Sequence, residues 1–255
     1  MIHSTAVVHP KAQIGANCDI GPYCVLGEHL TLGDDCRLHS HVVIDGHTIL
    51  GRGNEVFPFA SLGLKTQDLK WKGGLTRTEI GDHNTFREYV TVHSATEDGG
   101  VTRVGSHNHI LAYCHIAHNV VLGSRIIMSN VATLAGHVVV EDHAVIGGLA
   151  AVHQFCRVGK MAIIGGCSKV VQDVPPFMLA DGNPAVTRTV NKVGLERNGV
   201  PEEAQAALKQ AYKILFREGL TIPNALARIE AELPQVPEVL HLLQFARTSE
   251  RGLSK

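Results

Sequence analysis

The sequence predicts an all-β solenoid: a parallel β-helix of hexapeptide repeats that ends in a small α-helical domain. Apolar residues recur every six positions as far as Val170, glycine and small residues hold fixed places between them, and from Pro201 the period changes to that of helices. Stepping by six from Val8 gives Ile14, Ile20, Leu26, Leu32, Leu38, Ile44, Leu50, Val56 and Leu62. The series resumes at Ile80, Phe86 and Val92, then runs unbroken from Val104 to Val170. Of its 28 positions 25 are apolar, in a chain that is 44% hydrophobic, so chance does not account for it. The next residue is often glycine (Gly15, Gly33, Gly51, Gly81, Gly105, Gly147, Gly165), read as supplying the unusual φ of the corners. Four places after the aliphatic residue sits a small or β-branched one, as at Cys18, Cys24, Cys36, Ala60, Cys114, Ala132 and Cys156. Three such hexads make a triangular coil, so the series implies roughly 9–10 coils in a prism on the order of 45 Å long.

Composition narrows the function classes. A net charge of −1, from 23 basic and 24 acidic residues, leaves no dominant surface for a polyanion, so nucleic acid is not an expected partner. No run of 18 apolar residues marks an integral membrane segment, and the first residues, MIHSTAVVHP, lack a basic-then-apolar leader; the expectation is a cytoplasmic protein. Six cysteines are too few for a disulfide framework. Five of them occupy the small inward column, where a free thiol behaves as a small hydrophobe; Cys167 lies off that column and has no assigned role.

Residues 64–78 and 94–102 interrupt the series, are polar and glycine-rich, and contain the single Trp; they are expected as loops extruded from the prism. The solenoid is expected over 1–185 and the helical domain over 186–255. Ala204, Leu208, Ala211 and Leu215 mark one helix face, with Pro201 in its first turn and Gly219 at its end. A second helix fits Ile222 to Leu233, and a third carries Val239, Leu242, Leu243 and Ala246 after Pro237. This domain would cover the open end of the sheet stack.

Of 16 histidines, His93, His107, His109, His115, His118, His137, His143 and His153 fall in the later coils. His115, His137 and His153 are spaced by 22 and 16 residues against a coil of 18, so they fall near one edge of successive coils, with His118 in the turn beside His115. A ridge of imidazoles fits a general base with substrate-binding helpers, and equally a three-histidine zinc site.

Four stretches carry a family resemblance: His115-Ile116-Ala117-His118, Gly136-His137, Ile146-Gly147-Gly148 through His153-Gln154-Phe155, and Gln172-Asp173-Val174-Pro175-Pro176. Together they resemble the UDP-N-acetylglucosamine O-acyltransferases, which begin lipid A synthesis in Gram-negative bacteria. The resemblance extends over nearly the whole chain, including the loop Gln67-Asp68-Leu69-Lys70. It implies a left-handed β-helix, an exception to the right-handed crossover rule, assembled as a homotrimer with sites between subunits. It also implies no cofactor and no metal: the co-substrates are an acyl carrier protein thioester and a UDP-sugar. His118 matches the general base, and the Gly136 backbone N–H matches the oxyanion donor. His93, His115, His137, His153 and Gln154 match residues that hold the sugar and the reacting groups. Gln67, Asp68 and Lys70 match groups reaching the substrate from the first loop. Asn191 and Arg197 match the nucleotide end, and Gly166 matches the position that limits acyl chain length.

The chain departs from the family pattern in three places. Asn119 follows the matched base where the family often has Asp. Val193 and Asn198 stand where relatives carry polar or charged nucleotide contacts. His93-Ser94-Ala95-Thr96 replaces the commoner His-Arg-Gly-Thr and resembles a subgroup that acylates a 3-amino-3-deoxy sugar nucleotide. A zinc hydratase like the γ-class carbonic anhydrases would explain the histidines, but not the helical cap, the Gln-Asp-Leu-Lys loop or the Gln-Asp-Val-Pro-Pro segment. A non-catalytic scaffold predicts no convergence of polar groups at all. Residues 186–255 carry 10 Lys/Arg against 8 Asp/Glu, and residues 1–185 carry 13 against 16, a bias of the sign an acidic carrier protein would favour.

Overall fold

A computed structural model describes all 255 residues. Twenty-five short strands, β1 (Val7–Val8) to β25 (Lys169–Val170), wind into a left-handed prism. Each stacks in parallel on the strand one coil away, giving sheets of nine, eight and, with two further strands beyond the prism, ten strands. The register stacks aliphatic on aliphatic, Val8 beside Leu26 and Ile116 beside Leu134, so the six-residue column becomes the continuous core of 42 buried residues. The core is built of these stacked columns, with Phe86 its one aromatic side chain.

Two expectations about the repeat need correction. Twenty-five strands at three to a coil make about eight coils, not 9–10. The steps Leu62 to Ile80 and Val92 to Val104 are 18 and 12 residues long in place of 6, so Asp68, Gly74 and Asp98 belong to loops inserted as whole hexads. The phase survives while the coil count falls. The glycine column has a different role as well. Left-handed φ at the corners belongs to nineteen non-glycine residues, Asn17, His41, Asn119, Val131 and Leu149 among them, at a cost of about 1–2 kcal/mol each. The hexad glycines mark where coils pass too closely for a side chain: a Cβ on Gly33 would lie 2.6 Å from the Gly51 carbonyl carbon, and one on Gly147 2.6 Å from the Ile164 oxygen.

The small inward column holds the five expected cysteines, all buried; burial pushes the Cys36 and Cys114 thiols up to about 11, so they stay protonated and inert at neutral pH. The same column carries Asn54, Asn84 and Asn108, fully buried and hydrogen-bonded as a ladder. The side-chain oxygen of each accepts the backbone N–H one coil on, at Asn84 (2.9 Å), Asn108 (2.9 Å) and Ile126 (2.8 Å), and their amides donate to glycine carbonyls. These asparagines are tolerated inside because their side-chain oxygens and amides are paired.

Beyond β25 the chain forms a hairpin that periodicity did not show, β26 (Met178–Gly182) with β27 (Ala185–Val190), which extends the ten-stranded sheet through β24 (Ile163–Ile164). The division expected between 185 and 186 falls at the start of β27. Four helices follow: α1 (Lys192–Arg197), α2 (Glu202–Phe216), α3 (Ile222–Glu232) and α4 (Pro237–Arg247). The last three match the expected helices within a few residues, whereas α1 carries too short a period to be read from sequence. They bury a second cluster of 21 residues that includes Met161, Phe177 and Leu253.

Candidate active site

Both loops leave the prism at one corner, the turn from the nine-stranded to the eight-stranded sheet. The first, residues 65–76, connects β10 (Ser61–Leu64) to β11 (Arg77–Ile80); the second, residues 94–100, connects β13 (Thr91–His93) to β14 (Val101–Val104). They bind each other along their length. Ser94 N–H donates to the Leu64 carbonyl (2.9 Å), Gly99 N–H to the Leu75 carbonyl (2.8 Å), and Leu75 N–H to the Asp98 carboxylate (2.7 Å). Thr66 and Thr96, both buried, join hydroxyls at 2.8 Å. The repeat brings the next coils to the same corner: His118 and Asn119 follow β16 (His115–Ile116), and Gly136 and His137 follow β19 (Thr133–Leu134).

The hydrogen-bond pattern fixes the tautomer of His118. Asn119 Oδ1 accepts the backbone N–H of Thr96 at 3.0 Å, which settles which end of the amide is oxygen, and it lies 2.9 Å from His118 Nδ1. Nδ1 therefore carries the hydrogen, and Nε2 presents its lone pair. Nε2 faces Asp68 Oδ2 at 3.6 Å, with both side chains largely covered. The imidazole rests against Gly136, where a Cβ would come within 2.4 Å of Nε2 and displace the ring. The Gly136 N–H donates to no acceptor within the chain.

The other imidazoles surround this one. His137 meets His118 edge-on with ring centres 5.2 Å apart, stacks on Phe155 at 4.7 Å and lies 3.6 Å from Glu97 Oε1. Burial lowers the pKa of His137, assisted by the charges of His118 and Lys70 and opposed by those of Glu97 and Asp68. His93 Nδ1 lies 2.9 Å from the Lys65 carbonyl, and burial lowers its pKa too. His115 Nδ1 lies 2.7 Å from Thr91 Oγ1; burial, then the neighbouring His93 and His118, push its pKa down to about 4. His93 and His115 are thus neutral hydrogen-bonding groups at neutral pH, lining a half-covered corner beside a base nitrogen.

Seven residues singled out from sequence meet here: Asp68, Lys70, His93, His115, His118, Gly136 and His137. Gln67 is exposed on the first loop, and His153 and Gln154 are exposed one coil further along the corner. Three others lie elsewhere. Asn191 is buried as the N-cap of α1, its amide donating to the Met161 carbonyl (2.8 Å) and its oxygen accepting from Gly194 N–H (3.0 Å). Arg197 ends α1, exposed. Gly166 sits on the corner between the ten- and nine-stranded sheets, where a Cβ would meet only the Gly148 oxygen at 3.3 Å. Glu97 and the Thr96–Asn119 contact went unread in the sequence, since both lie across a loop that the period treats as an interruption. His115, His137 and His153 do not gather around a common point, and no three His, Cys, Asp or Glu side chains are grouped to hold a metal ion.

Comparison with known proteins places the whole chain among one group of enzymes. The family described as UDP-N-acetylglucosamine O-acyltransferase, domain 2, matches residues 173–254. The acyl-[acyl-carrier-protein]–UDP-N-acetylglucosamine O-acyltransferase of Thermodesulfovibrio yellowstonii is 49% identical over 255 residues, covering 100% of this chain and 99% of that protein. Among solved structures, the UDP-N-acetylglucosamine acyltransferase of Bacteroides fragilis superposes with a TM-score of 0.98 at 36% identity, covering 100% of both chains. LpxA from Acinetobacter baumannii superposes at 0.97 with 42% identity, covering 100% of this chain and 99% of its own. Sequence and fold agree over the full length: the chain belongs to the UDP-N-acetylglucosamine O-acyltransferase family.

Proposed function

We propose that this enzyme transfers an acyl chain from acyl carrier protein to the glucosamine 3-position of UDP-N-acetylglucosamine in lipid A synthesis, with His118 as the general base. The observation that carries the assignment is the fixed tautomer: Asn119 takes the Nδ1 hydrogen and leaves Nε2 free to accept a proton. The nucleophile on the sugar 3-position, a hydroxyl or an amine, attacks the thioester carbonyl carbon as its proton passes to Nε2. The resulting oxyanion takes the unpaired N–H of Gly136, the residue packed against the same ring. Collapse breaks the carbon–sulfur bond, and His118 returns the proton to the departing thiol. Asn119 orients the ring as an aspartate would but brings no charge; Asp68, 3.6 Å from Nε2, is the carboxylate that offsets the imidazolium. Neutral His93, His115 and His137 supply hydrogen bonds to the sugar and acyl groups without repelling the cation, while Gln67, Lys70, His153 and Gln154 extend the binding surface along the corner.

Gly166 lies on another corner of the prism, and Asn191 and Arg197 lie on α1 of the C-terminal domain; that separation favours a homotrimer whose subunits complete one another's sites. Gly166 adjoins an exposed apolar ridge: the rings of Tyr23, His41, Phe59, Tyr89 and Tyr113 stack at 4.8–5.0 Å, and Val131, Leu149 and Cys167 continue the line. That surface suits an acyl chain, and the basic bias of residues 186–255 suits an acidic carrier protein. No helix is long and apolar enough to cross a membrane; the proposed setting is the cytoplasm, where a carrier-bound thioester and a UDP-sugar meet. For the acceptor, a 3-amine is favoured by Ser94 and Ala95, which are buried and leave no cation at that point of the second loop, with the Ser94 hydroxyl bonded to Thr76 at 3.2 Å.

Replacing His118 by Ala should leave the protein folded and lower kcat by about 10²–10⁴-fold; near-normal turnover of a folded variant would remove the base assignment. Gly166→Met should shift preference toward shorter acyl donors, each excluded methylene being worth about 0.8 kcal/mol, as read by a chain-length series of carrier thioesters. Side-by-side kcat/KM values should favour the 3-amino analogue over UDP-N-acetylglucosamine itself. Equal or better use of the 3-hydroxyl would return the enzyme to ordinary ester formation.

A further inference from the structure

The last residues of the chain reach the histidine corner by contacts that the repeat does not encode. Ser249 Oγ donates to the buried Asp173 carboxylate at 2.7 Å. Asp173 N–H donates to the Gly252 carbonyl (2.8 Å), and Ser254 N–H donates back to the Asp173 carbonyl (2.9 Å). Gly252 turns the tail at φ +73, and Leu253 is buried with the helices. Arg251 is therefore held from both sides. Its Nη2 lies 3.2 Å from His153 Nδ1 and 3.5 Å from the Val171 carbonyl.

His153 Nδ1 has a second neighbour, the Gln154 carbonyl oxygen at 3.2 Å. The two make opposite demands. A carbonyl only accepts and calls for a hydrogen on Nδ1; a guanidinium only donates, stays charged, and calls for a lone pair. The charge-assisted donor is the stronger partner, so Nδ1 accepts and the hydrogen resides on Nε2, which has no partner in the chain.

We propose that Arg251 is a positioning residue of the acyl-transfer site: by donating to Nδ1 it holds His153 as the Nε2–H tautomer and aims a hydrogen-bond donor at an oxygen of the bound substrates. The proposal rests on the corner being the acyl-transfer site. Through Arg251 the C-terminal domain takes part in the site of its own chain.

The test uses the full-length protein labelled with ¹⁵N-histidine, the His153 signals being assigned by their loss in His153→Gln. Wild type shows the Nε2–H signature. Arg251→Met has neither charge nor donor, leaves the Gln154 carbonyl as sole partner, and moves His153 to Nδ1–H with a fall in kcat/KM of about tenfold. Arg251→Lys keeps a charged donor and restores both the signature and most of the rate, with melting temperatures alike in all three proteins. An unchanged Nε2–H signature in Arg251→Met, or rate losses that merely follow melting temperature, would overturn the role of the arginine. Full turnover by His153→Ala would instead overturn the site reading beneath it.

Discussion

The inter-coil backbone ladder is the constraint on which the rest of the molecule depends. Each strand of two to four residues is too short to be stable alone, and parallel pairing with the next coil satisfies its N–H and C=O groups while setting aliphatic on aliphatic. Once that register holds, a position within the hexad becomes a fixed direction in space. The inward column can be filled by leucines, thiols or a paired asparagine ladder, and the corner column by residues whose left-handed strain the ladder absorbs. Close approach of the coils then dictates glycine where a Cβ would strike the neighbouring backbone.

The same rigidity gathers the proposed catalytic corner from residues distant in sequence. His118 and His137 belong to different coils yet meet edge to edge, because the prism repeats its corner every coil. Asp68 arrives from a loop inserted at that corner two coils earlier, and the second loop supplies the Thr96 N–H that fixes Asn119. The proposed chemistry follows from burial and hydrogen bonding: neighbouring imidazoles are held neutral, and one ring keeps the lone pair of Nε2 free while packing against a glycine whose N–H is unpaired.

Much of this was legible in the sequence, since the six-residue period is the fold written in one dimension. The coil count went astray because the loops are whole multiples of the period, which preserves the phase and hides the insertion. The glycine column was misread because composition shows that glycine is needed but not whether backbone freedom or close approach needs it. Hairpin β26–β27 and helix α1 have no repeat to reveal them. At the corner, motif resemblance singles out His118, Gly136 and Asp68, which the fold brings together, whereas Glu97 beside His137 and Arg251 beside His153 depend on loop and tail contacts that no local pattern encodes. Asn191 shows the converse: its side chain is already committed to capping α1 and to the Met161 carbonyl.

The central claim is that a neutral amide orients His118 so that Nε2 accepts the proton. The most direct measurement is the pH dependence of kcat/KM for wild type and Asn119→Asp. A carboxylate in the same place would keep the orientation and stabilise the imidazolium, so the variant should remain active with its acid limb moved to higher pH. Coincident acid limbs in the two proteins would contradict the account, because the group titrating in that limb could not then be the imidazole that Asn119 holds.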